Sequence, residues 1–408
     1  MERLNDETDK LIMKVIYSTL LFIAASMVSY SCVEPFDPKI SDSNKTFLVV
    51  DGSITTGAGP HTVHLSKSVS LEENNVPITG ASVSFEEENG NIVDLFEAAS
   101  GSYQTSSIVG ETGKKYKLRF VHGGNQYESS WETIFPSHEI DSVYFEVQTI
   151  GTTDREEDQT GVQLFIDSHG SEDASKYVRY EFEEAWKTTV TYPSYRDYIG
   201  EDVTQATNDP RYFCFKYDEP TGINIASSDG LSSNRISKHK LLFIIGRNER
   251  LTVRYSLLVK QYSMGEREYS FWKSLQDTNE ELGSLFDTQP SNIPSNIVNL
   301  SDPDEVVLGY FSAWGVQEYR AYVNKRDVPH YISTVPNCNI DLDTLLKGNF
   351  VFIEDYESVL SYELQSGKFF YNLISLDNTV IGTILSEPRC SDCTLHGGTL
   401  PTPNFWED

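Results

Sequence analysis

Five cysteines, eight histidines and a large surplus of carboxylates are the groups in this 408-residue chain that could carry chemistry. Cys214, Cys338, Cys390 and Cys393 are an even set, which in an exported chain reads as two disulfides. Their connectivity stays open: Cys390-Ser-Asp-Cys393 could close a tight turn and leave Cys214 for Cys338, or the pairs could cross. A redox Cys-x-x-Cys opens a helix after a strand, whereas Thr394-Leu-His-Gly-Gly follows this one and would break a helix. A zinc site on Cys390, Cys393 and His396 lacks a fourth ligand. His61 and His64 stand three apart in an extended segment, so they point to opposite strand faces and are read as exposed polar residues, not a metal pair. Asp302, Asp304 and Glu305 lack the glycine and spacing of a calcium loop and read as a solvated turn.

Aromatic residues concentrate between 177 and 217. Trp186, Tyr192, Tyr195 and Tyr198 are the ligand-binding candidates there, since such rings present rigid faces with polar tips; packing in a sheet core is the competing reading. No nucleophile elbow, Walker loop, dinucleotide fingerprint, His-Glu-x-x-His or EF-hand loop occurs. The chain is therefore read as a non-enzyme with no cofactor and no metal.

The elements that must position these residues are mainly β. Between 46 and 135, apolar and polar residues alternate with period two, starting from Phe47 and Val49 and continuing through Val63, Leu65, Ala81, Val83 and Phe85. The clearest run has Tyr116, Leu118 and Phe120 facing in, with Lys115, Lys117 and Arg119 facing out. Gly123-Gly124-Asn125 then marks a hairpin. These strands predict an Ig-like, carboxypeptidase-regulatory-like β-sandwich over 46–135.

Residues 136–408 predict a larger antiparallel β domain with a Cys-containing tail and one prominent helix at about 264–283. Ser263-x-x-Glu266 reads as a capping box, followed by an apolar stripe at Tyr269, Trp272, Leu275, Leu282 and Phe286, with Gly283 as terminator. The all-apolar run Leu241–Ile245 reads as a strand buried on both faces. Further strands are expected at 306–311, 319–323, 350–353, 369–375 and 379–385.

Residues 15–31 form one apolar run behind Lys14 and end in small or polar residues, as in a secretory signal peptide covering 1–31. The net-acidic MERLNDETDK is a poor start for such a signal, so Met13 is the better initiator. Cys32 follows Ser31 at the cleavage point and resembles a lipobox cysteine, which would be lipidated and join a polar tether over 32–45. The net charge of −29 argues against a nucleic-acid partner, which requires a basic footprint.

Several strings then add up. They include Cys32-Val-Glu-Pro-Phe-Asp-Pro, Val50-Asp-Gly-Ser-Ile, Ile134-Phe-Pro-Ser-His-Glu-Ile-Asp-Ser-Val and Tyr255-Ser-Leu-Leu-Val-Lys-Gln-Tyr-Ser. Asp304-Glu-Val-Val-Leu-Gly-Tyr-Phe, Cys393-Thr-Leu-His-Gly-Gly-Thr and the terminal Phe405-Trp406 complete the set. Together they resemble the Bacteroidetes-type lipoproteins grouped as domain of unknown function 4249. The resemblance implies an outer-membrane lipoprotein, lipid-anchored and facing the cell surface or periplasm, that serves a TonB-dependent transporter as accessory or ligand-capture partner. The alternatives are a stand-alone surface binding or adhesion lipoprotein, or an envelope hydrolase. The resemblance transfers no catalytic residue.

Overall fold

The structure is a computed structural model. It describes residues 46–68, 75–106, 108–151, 158–193, 196–199, 202–205, 210–281, 295–333, 338, 342–377 and 379–407. Cys32, the signal, the tether, Tyr195, Leu282, Gly283 and Phe286 lie outside the described residues. The chain is mainly β, and 46–408 cluster as one compact unit.

The N-terminal sandwich starts with β1 (Leu48–Thr55) and β2 (Thr62–Lys67), an antiparallel pair. It continues through β3 (Ser82–Glu87) and β4 (Lys115–His122), also antiparallel. Val63, Leu65, Val83, Phe85, Tyr116, Leu118 and Phe120 are buried in one core, as their alternation predicts. Gly123 and Gly124 turn β4 into the next strand at φ values of 59° and 87°, which residues with a Cβ rarely adopt. In β1 the phase is reversed from the expectation: Leu48 and Val50 are core, while Phe47 and Val49 are only half-buried. Both faces of Phe47–Val50 are apolar, so periodicity alone could not choose between them.

The second half packs one sheet on another. β5 (Glu139–Ile150), β6 (Gln159–His169) and, later in the chain, Arg235–Ile245 make a three-stranded antiparallel sheet. Opposite lies β7 (Tyr177–Thr189), whose edge is extended by β8 (Phe213–Asp218). With Arg235–Ile245 as β9, the sheet of β7 is completed by β10 (Arg254–Met264) and β11 (Val307–Asn324). Val162, Leu164 and Ile166 meet Val178, Tyr180, Tyr255, Leu257 and Val259 between the layers. β9 is an edge strand and not a doubly buried one: Leu241 and Ile244 are buried, but Ile245 is 40% exposed.

β11 joins the two halves. Its first part, Leu48↔Val307 through Thr55↔Trp314, pairs with β1 in parallel. Its second part, Ser263↔Gly315 through Arg254↔Asn324, pairs with β10 antiparallel. The two strands expected at 306–311 and 319–323 are therefore one strand of 18 residues.

α1 (Glu266–Glu281) follows β10. The expected capping box is absent: Ser263 is a buried strand residue paired with both Val178 and Gly315, and the Gly265 carbonyl accepts the first helical bond from Tyr269 N–H at 2.9 Å. Sheet pairing has claimed the residue that local sequence offered as a cap. A second helix, α2 (Ile353–Gln365), replaces the strand expected at 350–353. Its acidic first turn and the burial of Tyr356 and Leu360 at a four-residue interval account for that. Asp343–Leu346, Phe369–Leu376 and Thr379–Ser386 form a small sheet beside it.

The disulfides are Cys214–Cys393 and Cys338–Cys390. Cys390 and Cys393 are thus not bonded to each other; each ties the tail to a distant segment. Beyond them Thr399 pairs with Phe215, and the Trp406 ring lies against Phe215 and Tyr322, so the tail runs across the outer face of the β8-β7-β10-β11 sheet.

Candidate functional site

Strand alternation sends Tyr180, Phe182, Leu257 and Val259 into the core, so Arg179, Glu181 and Glu183 of β7 and Lys260 and Tyr262 of β10 face outward. Register sets them in rows: Arg179, Tyr262 and Val316 side by side, then Glu181, Lys260 and Glu318. The N-terminal sandwich rises opposite, presenting Asp51 and Ser53 from the face of β1 that its core does not use, with His61 and His64 nearby. α1 lays Trp272 over one end. Between these surfaces lies a cleft of about 700 Å³, within the range of small-ligand sites.

The aromatic end of the cleft is preorganised. The Arg179 guanidinium sits 3.8 Å from the centre of the Trp272 ring and 5.5 Å from that of Trp314, and it pairs with Glu181 at 2.9 Å. Tyr262 and Trp314 have ring centres 4.5 Å apart. Behind the rings lies Glu268, which is fully buried. Its Oε1 accepts from Ser312 Oγ at 2.7 Å, Trp314 Nε1 at 2.7 Å and Trp272 Nε1 at 3.2 Å. One carboxylate oxygen thus fixes both indoles. Burial pushes this carboxyl up to about 7, against the pull of its three donors.

Lys260 pairs with Glu183. Burial lowers the ammonium's affinity for its proton, but Glu183 and neighbouring carboxylates outweigh that and move it up. His61 is not the exposed residue expected: it is 5% exposed, its backbone N–H donates to Thr105 Oγ1 at 3.0 Å, and burial lowers its ring below the usual histidine range. It begins the approach to β2 beneath the sandwich, a position that the three-residue spacing to His64 does not reveal.

This site is not the one that the aromatic concentration suggested. Trp186 is 6% exposed, buried in the second core with the Arg250 guanidinium 5.0 Å from its ring centre. The Tyr192 ring lies tilted against that of Tyr371 with centres 5.1 Å apart, and its backbone N–H donates to the Cys390 carbonyl at 3.0 Å. The side chain of Tyr198, like Tyr195, is outside the described residues. Trp186 and Tyr192 are not brought together with the cleft. Asp302, Asp304 and Glu305 do form a turn, closed by Glu305 N–H to the Asp302 carbonyl at 3.1 Å. Among the described residues no group of three or more His, Cys, Asp or Glu side chains is placed to hold a metal ion.

A family model described as domain of unknown function (DUF4249) matches residues 33–320. The chain belongs to that family. No curated protein and no solved structure matches the chain. The family span contains every cleft residue named above, whereas α2 and Cys338, Cys390 and Cys393 lie beyond it. The cleft is therefore built wholly from residues within the matched span, and the Cys214–Cys393 disulfide ties the tail to that span.

Glu268 is the residue that sequence reading missed. A signal existed: positions 268, 271, 272 and 275 share one helix face, so a carboxylate stood inside the apolar stripe, where a charge needs a structural or functional reason.

Proposed function

We propose that this protein is a lipid-anchored binding protein of the outer membrane, not an enzyme, and that it captures a ligand in the cleft between its sandwich and its central sheet as the accessory of a TonB-dependent transporter. The observation that carries the binding role is the cleft itself. Its two indoles are held from behind by a single buried carboxylate, and its floor is a row of charged side chains fixed by sheet register. Such preorganisation lowers the ordering cost of binding. The anchor at Cys32 and the transporter partner rest on the sequence resemblance.

The test is isolation of the native protein from crosslinked, detergent-solubilised membranes. A β-barrel of the outer membrane is expected to copurify in stable ratio. Recovery of a monomeric lipoprotein would remove the transporter role and leave a stand-alone binding protein.

A further inference from the structure

A buried ionisable group stands directly behind the wall of the cleft. The three hydrogen bonds that Glu268 accepts all end on Oε1, from Ser312 Oγ and Trp314 Nε1 at 2.7 Å and from Trp272 Nε1 at 3.2 Å. Among the described residues no cation pairs with it, and the charge that acts on it has the same sign: Glu132 of the sandwich raises it further. Glu132 is held in place by Ser130 Oγ at 2.6 Å, Asn296 Nδ2 at 2.9 Å and Tyr310 OH at 3.4 Å. A carboxyl shut off from water, without a cation and near a second carboxylate, takes up a proton around neutral pH even though three donors favour its charged form.

The ionisable groups around it keep one state in that range. Tyr310 of β11 and Tyr262 of β10 are pushed up by burial and by neighbouring carboxylates, so both keep their protons. Arg267 adjoins Glu268 on α1 and is exposed, while Arg179 of β7 lies over the Trp272 ring; both guanidinium groups stay charged. Glu266 is exposed on the first turn of α1. His61 and His64 line the cleft on its sandwich side.

Protonation changes the grip on the two indoles unequally. The bonds to Oε1 suit the carboxylate, which only accepts; a proton turns all three into neutral bonds of about half the strength. Trp314 is 6% exposed and stays packed on Tyr262, with ring centres 4.5 Å apart. Trp272 is half-buried, has the longest of the three bonds and stands at the end of the cleft. It is the ring with room to move.

We propose that Glu268 is a proton switch for the aromatic end of the cleft: the carboxylate clamps Trp272 in place, and the carboxylic acid lets it swing outward. Its use in ligand capture, firm above neutral pH and loose below, rests on the cleft being the binding site. Global stability and the grip on Trp272 run in opposite directions with pH, because the cost of burial falls on the carboxylate while its bonds hold the indoles.

The test is fluorine NMR of the full-length, detergent-solubilised protein labelled with fluorotryptophan, titrated across neutral pH. Trp272→Phe and Trp314→Phe assign the two signals. Both signals should titrate together near pH 7. On the acid side Trp272 alone should gain contact with solvent, read as broadening by a soluble paramagnetic chelate. Trp131, Trp186 and Trp406 should not share that midpoint. Glu268→Gln should abolish both titrations. Ser312→Ala removes one donor to the carboxylate and should raise the midpoint by about one pH unit, the scale of one charge-assisted bond, so the assignment can be read even where Glu268→Gln does not fold. Flat Trp272 and Trp314 signals, a titration that survives Glu268→Gln, or a midpoint that Ser312→Ala leaves in place overturns the proposal. So does a Trp272 that becomes more accessible as pH rises, since ionisation would then be drawing water in. None of these readouts needs a ligand, so a cleft that binds nothing would end the binding role and leave the switch standing.

Discussion

Glu268 and His239 titrate in overlapping ranges with opposite effects on stability. Glu268 is raised from 4.5 to about 7, chiefly by burial. The folded state therefore holds its proton more tightly than the unfolded state, and stability falls as pH rises from 4.5 to about 7. His239 is lowered from 6.5 to about 4 by burial; it stacks on Tyr180 and bonds Asn224 Oδ1 at 2.8 Å. Here the unfolded state holds the proton more tightly, and stability falls as pH drops from 6.5 towards 4. The two slopes offset each other between 4.5 and 6.5. Glu268→Gln keeps an acceptor for Ser312 and both indoles but removes the charge. Its urea midpoint should rise above that of the wild type as pH goes from 4.5 to 7.5, by a stability gain on the order of 3 kcal/mol at the upper end. His239→Asn should show the converse, gaining on the wild type as pH falls below 6.5. A pH-independent offset in either variant would sink the assignment.

At the level of elements, β11 carries the most structural consequence. Gly309 sits opposite Val50 in the parallel pair at a φ of 95°, and a Cβ there would stand 1.9 Å from the Val50 carbonyl oxygen. Gly309→Ala should cost roughly 3 kcal/mol or more, read as a lowered urea midpoint by circular dichroism, because both the strained φ and the backbone clash must be relieved. Unchanged stability would mean that the parallel pairing is not required. The sequence announced two short strands here, at 306–311 and 319–323, but neither their continuity nor the parallel pairing with β1. The period-two runs of β2, β3 and β4 were legible because each buries one face only. Parallel pairing between β1 and a segment some 260 residues later leaves no local trace beyond a glycine. The same limit explains the lost capping box at Ser263, where tertiary pairing overrode a correct local motif. For the site, the outward row of Arg179, Glu181 and Glu183 was readable as alternation, but its union with Asp51 and Trp272 depends on β11 bringing the halves together.

For the whole molecule, the tail and its disulfides act as a clamp on a strongly acidic chain. A net charge of −29 leaves many carboxylates without a cation, which opposes compaction by self-repulsion. Against that, Cys214–Cys393 closes a sequence separation of 179 residues and Cys338–Cys390 one of 52. Chain-entropy reasoning assigns about 5 kcal/mol to the first loop and about 4 kcal/mol to the second, both as constraints on the unfolded state. The longer loop has a second role, because it fixes the strand bearing Phe215, which Thr399 and Trp406 grip from outside. Cys214→Ala with Cys393→Ala should therefore destabilise more than Cys338→Ala with Cys390→Ala, and only the first pair should also release Trp406, seen as a red shift of tryptophan emission before global unfolding. The shift should be larger at low salt, where repulsion along the acidic chain is least screened. Equal losses from the two pairs, or a red shift from the second pair alone, would show that the tail is held by its own packing and not by the bond to β8.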